Sequence, residues 1–303
     1  MQTRYTDLNT YFRDIFGCRV QKITLDAGMG CPNRDGTISR TGCIYCNQKG
    51  SGTGGHALGK SIAQQAEDGK QALARRYKAK KFIAYFQSYT NTYAPADRLK
   101  QLYDQALQID GMVGLSVGTR PDCVDDEKLD LLASYADQYL TWVEYGLQSV
   151  HDATLARINR GHDFSAFEKA VAGARKRGIN VCAHVILGLP GESESQMMET
   201  ARTLSAMDVN GVKIHLLYVV RGTVLHWWYE QGRYKCLSRD QYAELVCAFL
   251  ARLRRDIVIQ RLTGDPHPNE LIAPQWAINK GETLERIRNI LENRDLYQGK
   301  FAG

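Results

Sequence analysis

Three cysteines fall within 16 residues, Cys31, Cys43 and Cys46, in the spacing C-x11-C-x2-C. A two-residue gap lets two thiolates approach one metal centre, and the longer loop carries the third. Two chemistries use such a set. A structural zinc site closes with four ligands, and His56, Cys18 and Cys123 are the candidates for the fourth. An iron–sulfur cluster held by only three cysteines leaves one iron open to a substrate or cofactor, as in an open catalytic metal site. The trio directly follows Val20 to Asp26, a run that reads as a strand. In a parallel α/β fold, active sites lie at that end of the strands.

The elements that must position the trio follow from periodicity. Candidate strands are Val20 to Asp26, Lys81 to Gln87, Met112 to Val117, Leu140 to Leu147, Ile179 to Leu187 and Val212 to Val219. Helical patterns lie between them, including Ala96 to Leu107, Asp125 to Ala136 and Asp163 to Arg177, whose apolar residues share one face. Ser193-Glu194-Ser195-Gln196 reads as a capping box that opens a further helix. Parallel neighbours require long crossovers, so six strand–helix units predict a partial (β/α)6 TIM-like barrel over residues 1–225. A doubly wound open sheet is the competing fold. Residues 226–303 read as a C-terminal helical extension packed on the barrel, with helices expected over Ser238 to Arg255 and Glu282 to Glu292. The run Gly50 to Gly55 reads as a flexible loop.

Composition bounds the rest. The chain has 303 residues, 44% hydrophobic and 24% charged, which excludes a disordered or collagen-like chain. No run approaches the roughly 18 apolar residues of a membrane span, and Met1 to Asp7 lacks the apolar core of a signal peptide. A cytoplasmic protein is therefore expected, in which eight cysteines do not form a disulfide framework. The five outside the trio, at positions 18, 123, 182, 236 and 247, read as small core hydrophobes with no close pair for a second cluster.

Cys43-Ile44-Tyr45-Cys46, with an aromatic just before the last cysteine, resembles the cluster loop of radical S-adenosylmethionine (SAM) enzymes. The first interval departs from the commonest pattern, because x11 replaces x3; stretched intervals also occur around the elongator catalytic subunit. Cys31-Pro32-Asn33-Arg34-Asp35-Gly36 followed by Gly42-Cys43-Ile44-Tyr45-Cys46-Asn47 is more similar still to the bacterial YhcC/YtqA-like family, and the likeness covers essentially the whole chain. The elongator subunit's acetyltransferase domain has no room here. The resemblance implies a 4Fe–4S cluster on Cys31, Cys43 and Cys46, with the amino and carboxylate groups of SAM on its fourth iron. One-electron reduction then yields a 5′-deoxyadenosyl radical that abstracts a substrate hydrogen. It also implies an electron donor such as a flavodoxin or ferredoxin.

Further motifs sit where such a barrel would use them. Tyr45 belongs to the cluster loop, and Ser88 and Asn91 end the second strand, where they suit the methionyl part of SAM or an ordinary turn. Arg120 in Gly118-Thr119-Arg120-Pro121-Asp122 suits a carboxylate or phosphate, or an Arg–Asp pair within the turn. Glu144 and Gln148 alternate with apolar neighbours and face the lumen as SAM contacts. Arg157 and Asn159-Arg160-Gly161-His162 resemble the Arg-Gly-His region of related enzymes, although His162 equally suits a helix cap. Gly188 opens the turn Gly188-Leu189-Pro190-Gly191-Glu192, which resembles the turn beside the adenine. Lys213 and His215 share a strand face with Tyr218 beyond them, and His267 and Glu270 lie in an extension loop.

The net charge of +6 and three basic clusters, Arg75 to Lys81, Arg175 to Arg177 and Arg252 to Arg255, are compatible with a nucleic-acid substrate. They are equally the cations expected at helix C-termini. The resemblance favours a transfer RNA (tRNA) wobble uridine as substrate. The alternatives are the same radical chemistry on a small molecule or protein, or a non-catalytic zinc-containing nucleic-acid-binding module.

Overall fold

A computed structural model describes residues 3–47 and 54–302, so positions 50–53 of the glycine-rich run lie outside the described residues. In chain order the elements begin with α1 (Leu8–Phe16), β1 (Val20–Leu25), α2 (Ile62–Tyr77), β2 (Lys81–Phe86), α3 (Ala96–Leu107), β3 (Met112–Thr119) and α4 (Asp126–Ala133). Then come β4 (Leu140–Gln148), α5 (Asp152–Arg157), α6 (Phe164–Lys176), β5 (Asn180–Leu187), α7 (Glu194–Ala206) and β6 (Gly211–Leu216). The chain ends with β7 (Val219–Val220), α8 (Val224–Glu230), α9 (Arg239–Leu250), β8 (Val258–Arg261), β9 (Leu271–Ala273) and α10 (Lys280–Asn293).

All six expected strands form, and each is parallel to the next. The sheet nevertheless has seven strands, in the order β1-β2-β3-β4-β5-β6-β8. The seventh comes from the C-terminal extension, which therefore contributes to the half-barrel itself as well as packing on it. The expected helix from Ser238 to Arg255 stops at Leu250, and the chain turns into β8. Ser193 and Gln196 do form a capping box, as do Ser61 with Gln64 and Ser238 with Gln241.

Helix α1 lies outside the expected elements; its N-cap Asp7 accepts hydrogen bonds from the Asn9 and Thr10 amides. Phe12 packs on Val20 and Ile83, both near the N-terminal ends of their strands. Tyr11 meets Trp142 edge-on, with centroids 5.8 Å apart. That helix closes the lower end of the half-barrel, leaving the C-terminal strand ends for the site.

The three basic clusters lie at the lower end as well, since each joins a helix C-terminus to the start of a strand. In the second and third clusters some charges are matched locally. Arg177 pairs with Asp130 at 2.5 Å and Asp126 at 2.8 Å, and Arg175 with Asp208 at 3.0 Å. Arg254 donates to the Met207 carbonyl at 2.7 Å and pairs with Asp256. The helix-end role accounts for these clusters, on the face opposite the cavity.

Candidate active site

The loop after β1 carries the three cysteines around a cavity of about 710 Å³ at the C-terminal ends of the strands. Cys31, Cys43 and Cys46 all line it, and none is in a disulfide. The Cys46 amide donates to the Cys43 carbonyl at 3.0 Å, a tight turn between the two. The loop is fastened from outside. Asn33 Nδ2 donates to the Asn159 carbonyl at 2.6 Å, and Asn159 Nδ2 to the Gly42 carbonyl at 2.7 Å. The Ile44 amide donates to Ile158 at 3.1 Å, and the Ile44 carbonyl accepts from the Leu225 amide at 2.8 Å. Ile44 itself is buried among Leu155, Ile158, Leu217 and Leu225.

Arginine and amide donors lie against the cysteine loop. Arg160 Nη1 and Asn33 Nδ2 each lie 3.6 Å from Cys43 Sγ, and Arg34 donates to the Cys46 and Asn47 carbonyls. Arg160 is held by two bonds to the Gly146 carbonyl, at 3.0 and 2.6 Å, and a Cβ at Gly146 would lie 2.5 Å from its Nη2. Burial, reinforced by the neighbouring Cys43, pushes the Cys46 thiol up to about 11.

As placed, the three thiols stand wider apart than ligands of a single zinc ion. Two ligands on one zinc cannot be farther apart than about 4.6 Å, twice the Zn–S bond of roughly 2.3 Å. Among the described residues, the three-ligand group gathered within 4.8 Å is Glu144, Cys182 and His184, not the cysteine trio. Cys18 precedes β1 while Cys31 follows it, which separates them by about 20 Å at roughly 3.3 Å per strand residue. A multi-iron cluster gives each thiolate its own iron and tolerates the wider spacing. Glu144, Cys182 and His184 are no metal site either, because two lysine ammonium groups already occupy the carboxylate and burial holds the Cys182 thiol protonated.

Below the thiols the lumen is polar. Glu144 is wholly buried and accepts from Lys22 Nζ at 2.6 Å, His184 Nε2 at 2.7 Å, Lys213 Nζ and Ser116 Oγ. Burial would raise its carboxyl, but Lys213, Lys22 and His184 outweigh that and hold it well below the usual carboxylate range. Burial and the Lys213 charge lower His184 to about 4, so it donates as a neutral imidazole. Burial likewise lowers Lys213 to about 8, against the pull of Glu144. The Lys213 ammonium lies 4.1 Å from the Tyr85 ring centroid.

Among the residues singled out from the sequence, Tyr45, Glu144, Gln148, Arg120, Lys213, His215, Tyr218, His267 and Glu270 line this cavity together with the three cysteines. Ser88, Asn91, Arg157 and Gly188 do not. Ser88 is fully buried, and Asn91 donates to the Gly118 carbonyl at 2.8 Å, tying the loop after β2 to β3. Arg157 is exposed and donates to Pro190 at 3.1 Å, against the glycine turn, where a Cβ on Gly191 would strike it. Gly188, at φ +88°, accepts from the Tyr234 hydroxyl at 3.0 Å. Glu144 reaches the lumen, but four donors occupy its oxygens. Arg120 likewise spends its guanidinium on Asp122 and the Arg160 carbonyl. His162 Nδ1 lies 3.0 Å from the Asp163 carbonyl, outside the cavity lining. Arg34, His184 and Arg261 are cavity residues that the sequence reading did not single out, and Lys22 holds the carboxylate from beneath.

The family model described as the Radical SAM superfamily matches residues 28–204, and the Radical SAM C-terminal domain model matches residues 209–293. The chain belongs to the radical SAM superfamily. That membership makes it an enzyme. It is 43% identical over 300 residues to the uncharacterized protein YtqA of Bacillus subtilis, covering 99% of this chain and 93% of that protein. To YhcC of Escherichia coli it is 40% identical over 289 residues, covering 95% of this chain and 92% of that protein. A more distant relative is the tRNA uridine(34) acetyltransferase of Dehalococcoides mccartyi, 29% identical over 185 residues, covering 60% of this chain and 39% of that protein. The solved structure of the archaeal Methanocaldococcus infernus Elp3, with its N-terminus deleted, matches with a TM-score of 0.73 at 16% identity, covering 92% of this chain and 64% of that one. The likeness to Elp3 shows a shared fold, a curled parallel half-barrel. No helix among the described residues is long and apolar enough to cross a membrane.

Proposed function

We propose that this radical SAM enzyme holds a 4Fe–4S cluster on Cys31, Cys43 and Cys46 and binds SAM beside it, to act on a tRNA wobble uridine. The reading rests on three free thiols lining one cavity at the C-terminal ends of the half-barrel strands. When bound, the cluster supplies the electron that cleaves SAM to a 5′-deoxyadenosyl radical. The protein's part is placement and shielding. Arg160 and Asn33 donate toward Cys43, Arg34 steadies the backbone after Cys46, and Tyr45 and Gln148 face the chamber that SAM would fill. Asn47 ties the cluster loop to Glu270 of the extension at 2.8 Å, closing the open side against water.

Support for RNA comes from the distant acetyltransferase relative and from α8. Trp227 is 52% exposed, with Arg233 5.5 Å from its ring centroid, and α8 is joined to the cluster loop through Leu225. Exposed aromatics with nearby arginine suit stacking by unpaired bases.

Anaerobic reconstitution tests the chemistry. The wild-type protein should bind about four irons with sulfide and release 5′-deoxyadenosine on reduction with SAM. Cys31→Ala, Cys43→Ala and Cys46→Ala should each abolish both, and SAM cleavage retained in all three would refute the ligand assignment. Mass spectrometry of tRNA nucleosides from a deletion strain tests the substrate. A lost or truncated wobble-uridine modification is expected, and an unchanged profile would count against RNA.

A further inference from the structure

The end of the cavity away from the thiols carries positive charge that the described residues do not neutralise. An ionised carboxylate offers about four acceptor positions, and on Glu144 they are filled by Lys22, Lys213, His184 and Ser116. Two ammonium groups thus share one carboxylate. Arg261 adds a second excess charge. It pairs in register with Lys213, which itself pairs with His184, so the three stand side by side across β5, β6 and β8. A shift in register between Val212 and Lys213 brings two consecutive β8 residues inward. Gln260 accepts from Lys22 at 2.7 Å, and Arg261 lines the cavity.

The Arg261 guanidinium, with five donors and no acceptor, makes no hydrogen bond or ion pair with the described residues. The carboxylates on the cavity wall besides Glu144 are Asp265, 3.6 Å from Lys280, and Glu270, bonded to Asn47. Neither lies within ion-pair distance of Arg261. His215 is beside it on the wall, and its Nε2 is buried without a partner. A partly buried cation with unfilled donors is costly unless an anion meets it, and a guanidinium fork matches the paired oxygens of carboxylate and phosphate alike.

We propose that Arg261, flanked by Lys213 and His215, is a subsite for an oxyanion of the substrate, a carboxylate or a phosphate. The assignment rests on the reading that this cavity is the reaction chamber. The subsite anchors the reacting unit of the substrate by a charged group and holds that unit between the lumen floor and the thiols.

Calorimetric titration of the reconstituted protein with inorganic phosphate and with malonate tests it. Wild type should bind at least one of them saturably. Arg261→Gln should weaken that binding at least about tenfold, as expected for loss of a charge-assisted pair. Arg261→Lys should weaken it less, and Arg202→Gln, on the exposed face of α7 away from the cavity, should leave it intact. Preference for phosphate or for malonate assigns the oxyanion, and equal binding assigns the shared chemistry. No saturable binding by wild type, unchanged affinity in Arg261→Gln, or an equal loss in Arg202→Gln would overturn the subsite. If Arg261→Gln does not fold, Arg261→Lys carries the comparison. Wild-type protein that binds the anion but releases no 5′-deoxyadenosine would remove the proposed radical chemistry and leave the subsite standing.

Discussion

Glu144 holds the lumen together through charge, and its neighbours set what its removal costs. Glu144→Gln leaves Lys22 and Lys213 facing each other in a buried setting. Breaking one side of such a network costs about 3–5 kcal/mol, measurable by chemical denaturation. The pH dependence has a definite sign. The carboxyl sits well below its ordinary value in the folded chain, against about 4.3 when unfolded. Its stabilisation is therefore complete above about pH 4.3 and is lost as the pH falls toward the folded value. The stability gap between wild type and Glu144→Gln should narrow on acidification below that point; a gap that widens would contradict the ion-pair reading. Part of this site was legible from alternation along β4, which places Glu144 on the lumen face. The same alternation in Lys22-Ile23-Thr24-Leu25 marks Lys22. Arg157 and Arg160 show where such rules stop. Helix α5 ends at Arg157, and Asn159, at φ +52°, turns the chain so that the arginine three residues later enters the cavity.

At the scale of elements, the six strands were legible because each buries an apolar face between helices and is six or more residues long. The seventh has only four residues, Val258–Arg261, and an irregular register with β6. No periodicity can establish itself over that length, although Ile257-Val258-Ile259 is a β-branched run. Arg261 escaped notice with it. Helix α1 carries its signal in the Asp7 cap and not in a long repeat. Its role is energetic, since Phe12 is 2% exposed beneath the barrel. Phe12→Ala should cost about 3–5 kcal/mol in denaturant unfolding, and a loss below 1 kcal/mol would show that α1 does not seal the lower end.

Across the whole molecule, charge is sorted by face. The clusters that look suited to RNA lie at the strand N-termini, where Arg175, Arg177 and Arg254 meet local acids, while Lys22, Lys213 and Arg261 bring cations to the cavity end. The extension and barrel share one sheet, so they should not separate. A fragment ending at Arg255 lacks β8 and exposes the unpaired backbone of β6, an edge open to pairing with other chains. It should elute from size exclusion as aggregate where the full chain is discrete. A stable, discrete fragment would show that β8 is dispensable.

The fastening of the cysteine loop bears on how the enzyme lives with oxygen. In zinc fingers the metal supplies the folding energy, and the peptide collapses without it. Here Asn33, Asn159, Ile158 and Leu225 also hold the loop through protein–protein bonds. If the proposed cluster is bound there, oxidative loss of its iron would leave these bonds in place, and refilling with iron and sulfide should restore it.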